Sequence, residues 1–125
     1  MPGSSAREDS PLRDAELRIL LVLAEGENHG YAIMKSIEGA TDGRYSVGPA
    51  TLYRSIKRML EKGLIAEVED RPDPQYDDER RRYYRLTRVG RNAVGAEVVR
   101  LEGLLAEARK QVWPRASARK SMAPR

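Results

Sequence analysis

The sequence predicts a mainly α-helical protein with one small β-hairpin and a long helix near its C-terminal end. Three observations support this fold class. Apolar residues recur at helical spacing in three segments before residue 63, they occupy two short strand-like segments after it, and they then form a heptad seam. The 125 residues are enough for one small domain with tails.

The composition excludes most catalytic and metal-binding classes. The chain has no Cys and one His, so a Cys nucleophile, a disulfide and a zinc site built on several Cys or His residues are all excluded. We therefore predict no enzyme activity, no cofactor and no metal.

No apolar run approaches the roughly 20 residues that span a bilayer, and residues 1–13 lack the apolar core of a signal peptide. We expect a cytoplasmic protein with no membrane partner.

The first predicted helix runs from Asp14 to Gly26, after residues 1–13, which are polar and predict a flexible arm. Leu17, Leu20 and Leu21 follow the i, i+3, i+4 spacing of an amphipathic helix. Several positions between and after them are apolar as well, so this helix must be buried from two directions. We predict that one of its partners is a second subunit, contacted by these three leucines.

Two further helices are predicted before residue 63. A turn at residues 27–30 precedes a helix from about Tyr31 to Glu38. After a polar linker, a third helix begins at Pro49, because proline is favoured at the first helical position, and ends near Gly63. The apolar stripe of this third helix predicts one buried face, made of Leu52, Ile56, Met59 and Leu60.

Residues 64–69 and 81–87 predict two strands joined by a long loop, and Thr87 is a good N-cap for the final helix. We place a dimerisation helix at residues 88–113 and a disordered basic tail at residues 114–125. The heptad seam of the helix predicts a coiled-coil contact between two copies, formed by Val94, Val98, Leu101, Leu105, Ala108 and Val112.

The order of these elements is that of a winged helix-turn-helix, here residues 14–87, which presents the last helix of its motif to the DNA major groove. This segment is locally basic, because residues 44–62 carry five cations and one acid. A solvated basic face is the alternative interpretation. The outward residues of the helix at 49–62 predict the DNA contacts, namely Ala50, Thr51, Tyr53, Arg54, Lys57 and Arg58.

The sequence contains four short motifs, namely His29-Gly30-Tyr31, Thr51-Leu52-Tyr53, Gly63-Leu64-Ile65 and residues 82–87. In their order and separation, these motifs resemble the PadR family of bacterial transcriptional regulators. The resemblance covers about residues 15–112 and is to the compact branch with a single C-terminal helix. It implies a winged-helix repressor that dimerises through its first and last helices. It also implies binding to an inverted-repeat operator in double-stranded DNA, and release when a small hydrophobic or aromatic effector binds.

Two features near the DNA-binding elements depart from the family pattern. Arg54 stands where many relatives have proline, which adds a cation for an extra phosphate contact. Residues 67–79 carry seven acids and one cation where the wing is usually basic, so we expect no DNA contact from the wing tip. The adjoining Arg80, Arg81 and Arg82 either contact DNA or pair with these acids.

A third departure concerns the effector. The long helix has no aromatic residue except Trp113 at its end, so a ligand pocket between subunits would be aliphatic or absent. The candidate effector contacts are Tyr31, Leu101 and Trp113, with core or interface packing for Tyr31 and a dimer contact for Trp113 as the alternatives. Tyr53 either bonds a phosphate through its hydroxyl or packs at the domain edge. His29 is interpreted as a turn residue that hydrogen-bonds near a helix start.

A homodimeric, DNA-binding transcriptional repressor is the function that these residues favour. The alternative is a protein-interaction adaptor that uses the acidic wing loop and the coiled coil to bind another protein. A third hypothesis is nucleic-acid packing without sequence choice. Binding to a DNA duplex that depends on both salt and sequence would separate the first hypothesis from the other two.

Overall fold

The computed structural model describes residues 12–68 and 82–112. Most of the predicted N-terminal arm, the wing loop and the basic C-terminal tail lie outside these residues. The elements, in chain order, are α1 Asp14–Glu25, β1 Asn28–His29, α2 Gly30–Ala40, α3 Pro49–Glu61, β2 Ile65–Glu67, β3 Tyr83–Leu86 and α4 Arg88–Gln111. The predicted fold class is confirmed, since the structure is mainly helical with a small antiparallel sheet.

The sheet has one strand more than the sequence predicts. Asn28 and His29, which we expected in a turn, form β1 and pair antiparallel with Tyr84 and Tyr83 of β3. Because β2 pairs with the other edge of β3, the strand order is β1-β3-β2 and β3 is central. A strand of two residues shows no alternation of its own, so only its partner strand defines it.

One hydrophobic core joins α1, α2, α3 and the sheet. The predicted stripe of α3 is confirmed at Leu52, Ile56 and Met59, whereas Leu60 is exposed. Burying these apolar side chains is the main source of stability for such a domain. The core cluster consists of Ile19, Leu20, Leu23, Ile33, Ile37, Val47, Leu52, Ile56, Met59, Leu64, Ile65 and Tyr84.

Side-chain caps mark the starts of α2 and α4, and a proline marks the start of α3. The Nδ1 atom of His29 accepts a hydrogen bond from the Ala32 amide at 3.3 Å, which confirms the predicted role of His29 at a helix start. Pro49 occupies the first turn of α3, as expected. The hydroxyl of Thr87 accepts a hydrogen bond from the Gly90 amide at 3.0 Å, so Thr87 caps α4 as predicted.

Thr87 and Gly90 also bring the start of α4 close to the end of α3. The Thr87 hydroxyl oxygen lies 2.6 Å from the carbonyl oxygen of Gly63, and the Thr87 amide donates to the carbonyl of Leu64 at 3.1 Å. Gly90 is buried here, and a Cβ atom on it would lie only 2.0 Å from the Leu64 carbonyl oxygen. Glycine is therefore required at position 90 by close approach of two backbone segments.

The chain divides into two compact units, Met1–Val94 and Gly95–Arg125. The described part of the second unit is helical to Gln111, and all of it except Glu97 is exposed. Glu97 accepts hydrogen bonds from Arg100, which raise the pKa of the Arg100 guanidinium above its ordinary value. No helix within the described ranges combines the length and apolarity that a membrane span needs.

Candidate nucleic-acid interface

The helix α3 has one buried face and one exposed polar face. The buried face carries Leu52, Ser55, Ile56 and Met59, and the exposed face carries Ala50, Thr51, Arg54, Lys57 and Glu61. Arg54 and Lys57 form no ion pair with any residue that the structure describes. The structure thus places four of the six predicted DNA-contact residues together on one solvent-facing surface.

The turn between α2 and α3 is held by several polar contacts. The Thr41 hydroxyl accepts the Tyr45 amide hydrogen at 3.0 Å, and Val47 is buried in the core. The Arg18 guanidinium lies 4.2 Å from the centre of the Tyr45 ring and pairs with Asp14 at 2.8 Å. These contacts fix the path of the chain into the first turn of α3, where small and hydroxyl side chains would approach bases most closely.

Tyr53 faces inward, and the predicted phosphate contact is wrong. Its hydroxyl oxygen is buried. Its ring lies over Gly30, the first residue of α2, so that a Cβ atom on Gly30 would be 2.5 Å from the hydroxyl oxygen and 3.0 Å from two ring carbons. The alternative interpretation placed Tyr53 at the domain edge, and the structure packs it against Gly30 at the start of α2.

The contact between Tyr53 and Gly30 predicts a specific stability defect. Gly30→Ala should lower the free energy of unfolding by about 2 kcal/mol, because overpacking forces side chains or backbone to shift. Tyr53→Phe in the same chain should recover part of this loss, since the hydroxyl oxygen is the nearest clashing atom. Urea unfolding measures both effects. Gly39→Ala in the same helix is the control, because no described residue outside its own helix lies within 4 Å of its Cβ position. Equal stability of Gly30→Ala and Gly39→Ala would contradict this contact.

Arg58 does not join the free cations of the exposed face. Its Nε atom donates a hydrogen bond to Oε2 of Glu16 in α1 at 2.9 Å, and the Glu16 side chain is only 2% exposed. The Arg58 side chain remains 37% exposed. In the structure Arg58 forms an ion pair between two helices, and the phosphate contact predicted for it stays a prediction. The sequence offered no clear signal for this, since Glu16 is one of several charged residues in α1.

Comparison with known proteins assigns the family. The family model described as "Transcriptional regulator PadR-like family" matches residues 19–96, which is more than half of the chain. The chain belongs to the PadR-like family. The resemblance noted in its sequence motifs is confirmed, and the family and its structural relatives are transcriptional regulators rather than enzymes.

Solved structures of PadR-type regulators share this fold. A transcriptional regulator from Clostridium thermocellum is 30% identical, with a TM-score of 0.66, covering 78% of this chain and 88% of that one. The Bacillus subtilis PadR structure, which is in complex with operator DNA, is 22% identical with a TM-score of 0.59, covering 71% of this chain and 49% of that one. At that identity the second likeness shows the fold alone.

A curated relative is a 37.1 kDa uncharacterized protein in transposon TN4556 of Streptomyces fradiae. It is 34% identical over 97 residues, which are 75% of this chain and 26% of that protein. The chain therefore matches only about a quarter of the length of this relative.

At the base of the wing of this PadR-family chain, Arg82 pairs with an acid. Its Nε atom lies 3.7 Å from Oε2 of Glu67, and both side chains are about half exposed. Of the two roles left open for Arg82, pairing with the acids of the hairpin is the one that the structure contains. An exposed pair of this kind contributes at most about 1 kcal/mol. Arg80 and Arg81 lie outside the described residues.

The predicted subunit contacts of the PadR-family chain fall into two groups. Leu20 is fully buried in the core of its own chain, so its predicted subunit contact is wrong: the side of α1 that carries Leu20 faces α2 and α3. Val94 packs against the same core. By contrast, Leu21 is 47% exposed. The remaining seam residues of α4 are all exposed, namely Val98, Leu101, Leu105, Ala108 and Val112.

The candidate effector contacts are not brought together by the structure. Tyr31 is 53% exposed, and the Nζ atom of Lys35 lies 5.6 Å from the centre of its ring. This exposure contradicts core packing for Tyr31. Leu101 belongs to the second unit, and Trp113 lies outside the described residues.

Proposed function

We propose that this PadR-family chain is a homodimeric repressor that binds an inverted-repeat operator through α3 and is released by a small hydrophobic or aromatic effector. The observation that carries the proposal is the exposed face of α3. Thr51, Arg54 and Lys57 are all exposed on a helix whose opposite face is anchored in the core. Cations on such a face neutralise phosphates, and a small hydroxyl side chain approaches base edges.

The exposed seam of α4 supports the dimer. In a single chain Val98, Leu101, Leu105 and Val112 leave a row of aliphatic side chains in water, and a second copy of the same helix would cover it. Leu17 and Leu21 of α1, of which Leu21 is exposed and Leu17 half-buried, are proposed as a separate apolar contribution to the dimer. A two-fold dimer places its two α3 helices about 34 Å apart, one turn of B-DNA, and therefore demands a palindromic site.

Repression and release follow from the same arrangement. A dimer on its operator blocks access to the DNA that it covers. An effector weakens the complex only if it binds one arrangement of the two subunits better than the other. The aliphatic character of the α4 seam is the reason to propose a hydrophobic or aromatic effector there, with Leu101 as a candidate contact.

The test is the affinity of the purified protein for the DNA upstream of its own gene and for a scrambled duplex, at two salt concentrations. We expect two subunits per site, a preference of at least about 10³-fold for the upstream DNA, and an affinity that falls as salt rises. Equal affinity for both duplexes would indicate packing without sequence choice. Absence of salt-dependent binding to either duplex would favour the adaptor hypothesis.

A further inference from the structure

We infer that Glu16 and Arg58 form a positioning pair, which fixes the orientation of α3 against α1 and with it the face that reads DNA. The inference rests on the proposed function. The pair joins positions 42 residues apart in the sequence, and the core shared by α1 and α3 consists of apolar side chains. Apolar contacts are non-directional, whereas a charge-assisted hydrogen bond is directional. The pair therefore supplies an orientation that core packing alone does not.

The Glu16 carboxylate is itself held in place. Its Oε1 atom accepts the Arg13 amide hydrogen at 3.0 Å, at the start of α1, while its Oε2 atom accepts from Arg58 Nε at 2.9 Å. A carboxylate that is 2% exposed needs such partners to offset its lost hydration. Because the Glu16 carboxylate is anchored at the start of α1, it fixes the position of the Arg58 guanidinium. The ion pair therefore fixes the position of α3 relative to α1.

The position of Arg58 on α3 explains why this matters for DNA. Arg58 lies four residues after Arg54 and seven after Thr51, so the three side chains leave the same side of the helix, one and two turns apart. A rotation of α3 about its axis that broke the pair would carry Thr51 and Arg54 with it. Recognition side chains have to be held within about 0.5 Å and 10–20° of their working geometry.

A direct phosphate contact by Arg58 makes different predictions from a positioning role. Glu16 lies buried in α1 and cannot reach DNA, so only the positioning role makes DNA affinity depend on Glu16. Loss of one phosphate contact also lowers the slope of log affinity against log salt by about one. Loss of a positioning contact leaves the number of neutralised phosphates, and hence the slope, unchanged.

The experiment compares Glu16→Gln, Arg58→Gln and the double variant with wild type, by operator affinity at several salt concentrations. We expect each single variant to bind about tenfold more weakly with an unchanged slope, and the double variant to bind no more weakly than either. The matched control is Lys57→Gln, the exposed neighbour on α3. Lys57→Gln should lower the slope of log affinity against log salt by about one. Its loss of binding free energy should add independently to that of Glu16→Gln.

Two results would overturn the inference: wild-type affinity for Glu16→Gln, or a slope lowered by about one for Arg58→Gln. Glutamine at position 16 keeps an oxygen acceptor for the Arg13 amide, and circular dichroism checks the fold. If Glu16→Gln does not fold, the slope of log affinity against log salt for Arg58→Gln decides between a positioning role and a phosphate contact.

A second readout needs no DNA. Hydrogen exchange of the amides in residues 49–61 should be faster in Glu16→Gln than in wild type or Lys57→Gln. If wild type shows no preference for operator DNA, the proposed function fails. The exchange rates then decide the inference alone, and unchanged rates in Glu16→Gln overturn it.

Discussion

Leu105→Glu is expected to convert the protein from dimers to monomers and to abolish tight operator binding. Leu105 is exposed at the middle of the α4 seam, so in the proposed dimer a carboxylate there would be buried against the partner subunit. Two linked DNA-binding domains gain about 10²- to 10⁴-fold in affinity over one, and the monomer forfeits that gain. Analytical ultracentrifugation gives the oligomeric state, and a duplex titration gives the affinity.

Val99→Glu is the matched control for the dimer seam. Val99 lies on the same helix and is more exposed than Leu105, but it is outside the heptad positions of the seam. We expect this variant to remain dimeric with wild-type operator affinity. Dimers in both variants would show that the α4 seam does not carry the subunit contact. Monomers in both would show that the subunit contact is not confined to the seam.

Among Gly→Ala substitutions at the described glycines, Gly90→Ala is expected to cause the largest loss of stability. Its Cβ atom would lie 2.0 Å from the Leu64 carbonyl oxygen and 2.7 Å from Leu86 Cδ1. Since one of these atoms belongs to the backbone, the start of α4 has to move as a whole. We expect a loss of about 3 kcal/mol, measured as a lower midpoint of urea unfolding with an unchanged m-value.

Gly103→Ala in the same helix should act in the opposite direction. Apart from its own turn of helix, no described residue lies within 4 Å of its Cβ position, so the added methyl group meets no clash there. Alanine in place of glycine inside a helix stabilises by roughly 0.5–1 kcal/mol. A loss of stability in Gly90→Ala no greater than in Gly103→Ala would contradict the close approach of α4 to Leu64.

The sequence was sufficient for the elements whose pattern is local. The starts of α3 at Pro49 and of α4 after Thr87 are predictable from the sequence, because proline and hydroxyl side chains have defined positional preferences at helix starts. The order of the elements then led to the winged helix-turn-helix, and the motifs led to the PadR family. The exposed face of α3 with Thr51, Arg54 and Lys57 also followed from helical periodicity.

The features that the sequence did not predict depend on contacts between distant segments. Tyr53 and Arg58 are polar residues at the margin of the exposed face of α3, and periodicity alone cannot show that Gly30 and Glu16 lie beside them. Leu20 was assigned to a subunit contact because an apolar helix needs two partners, yet the core of one chain covers it fully. Each of these errors concerns which neighbour a side chain meets, not which element it belongs to.

The central place of β3 in the sheet has a consequence for synthesis on the ribosome. The three helices of the first unit and both neighbours of β3 are made before it, yet the core that they form is completed by Tyr84, which is 2% exposed. Until residues 83–86 emerge, the nascent helices expose the apolar surface that this side chain later covers. Pairings between segments distant in sequence also form slowly. Ribosome-bound chains that end before β3 should therefore be cleaved more readily by proteases than those that end after it.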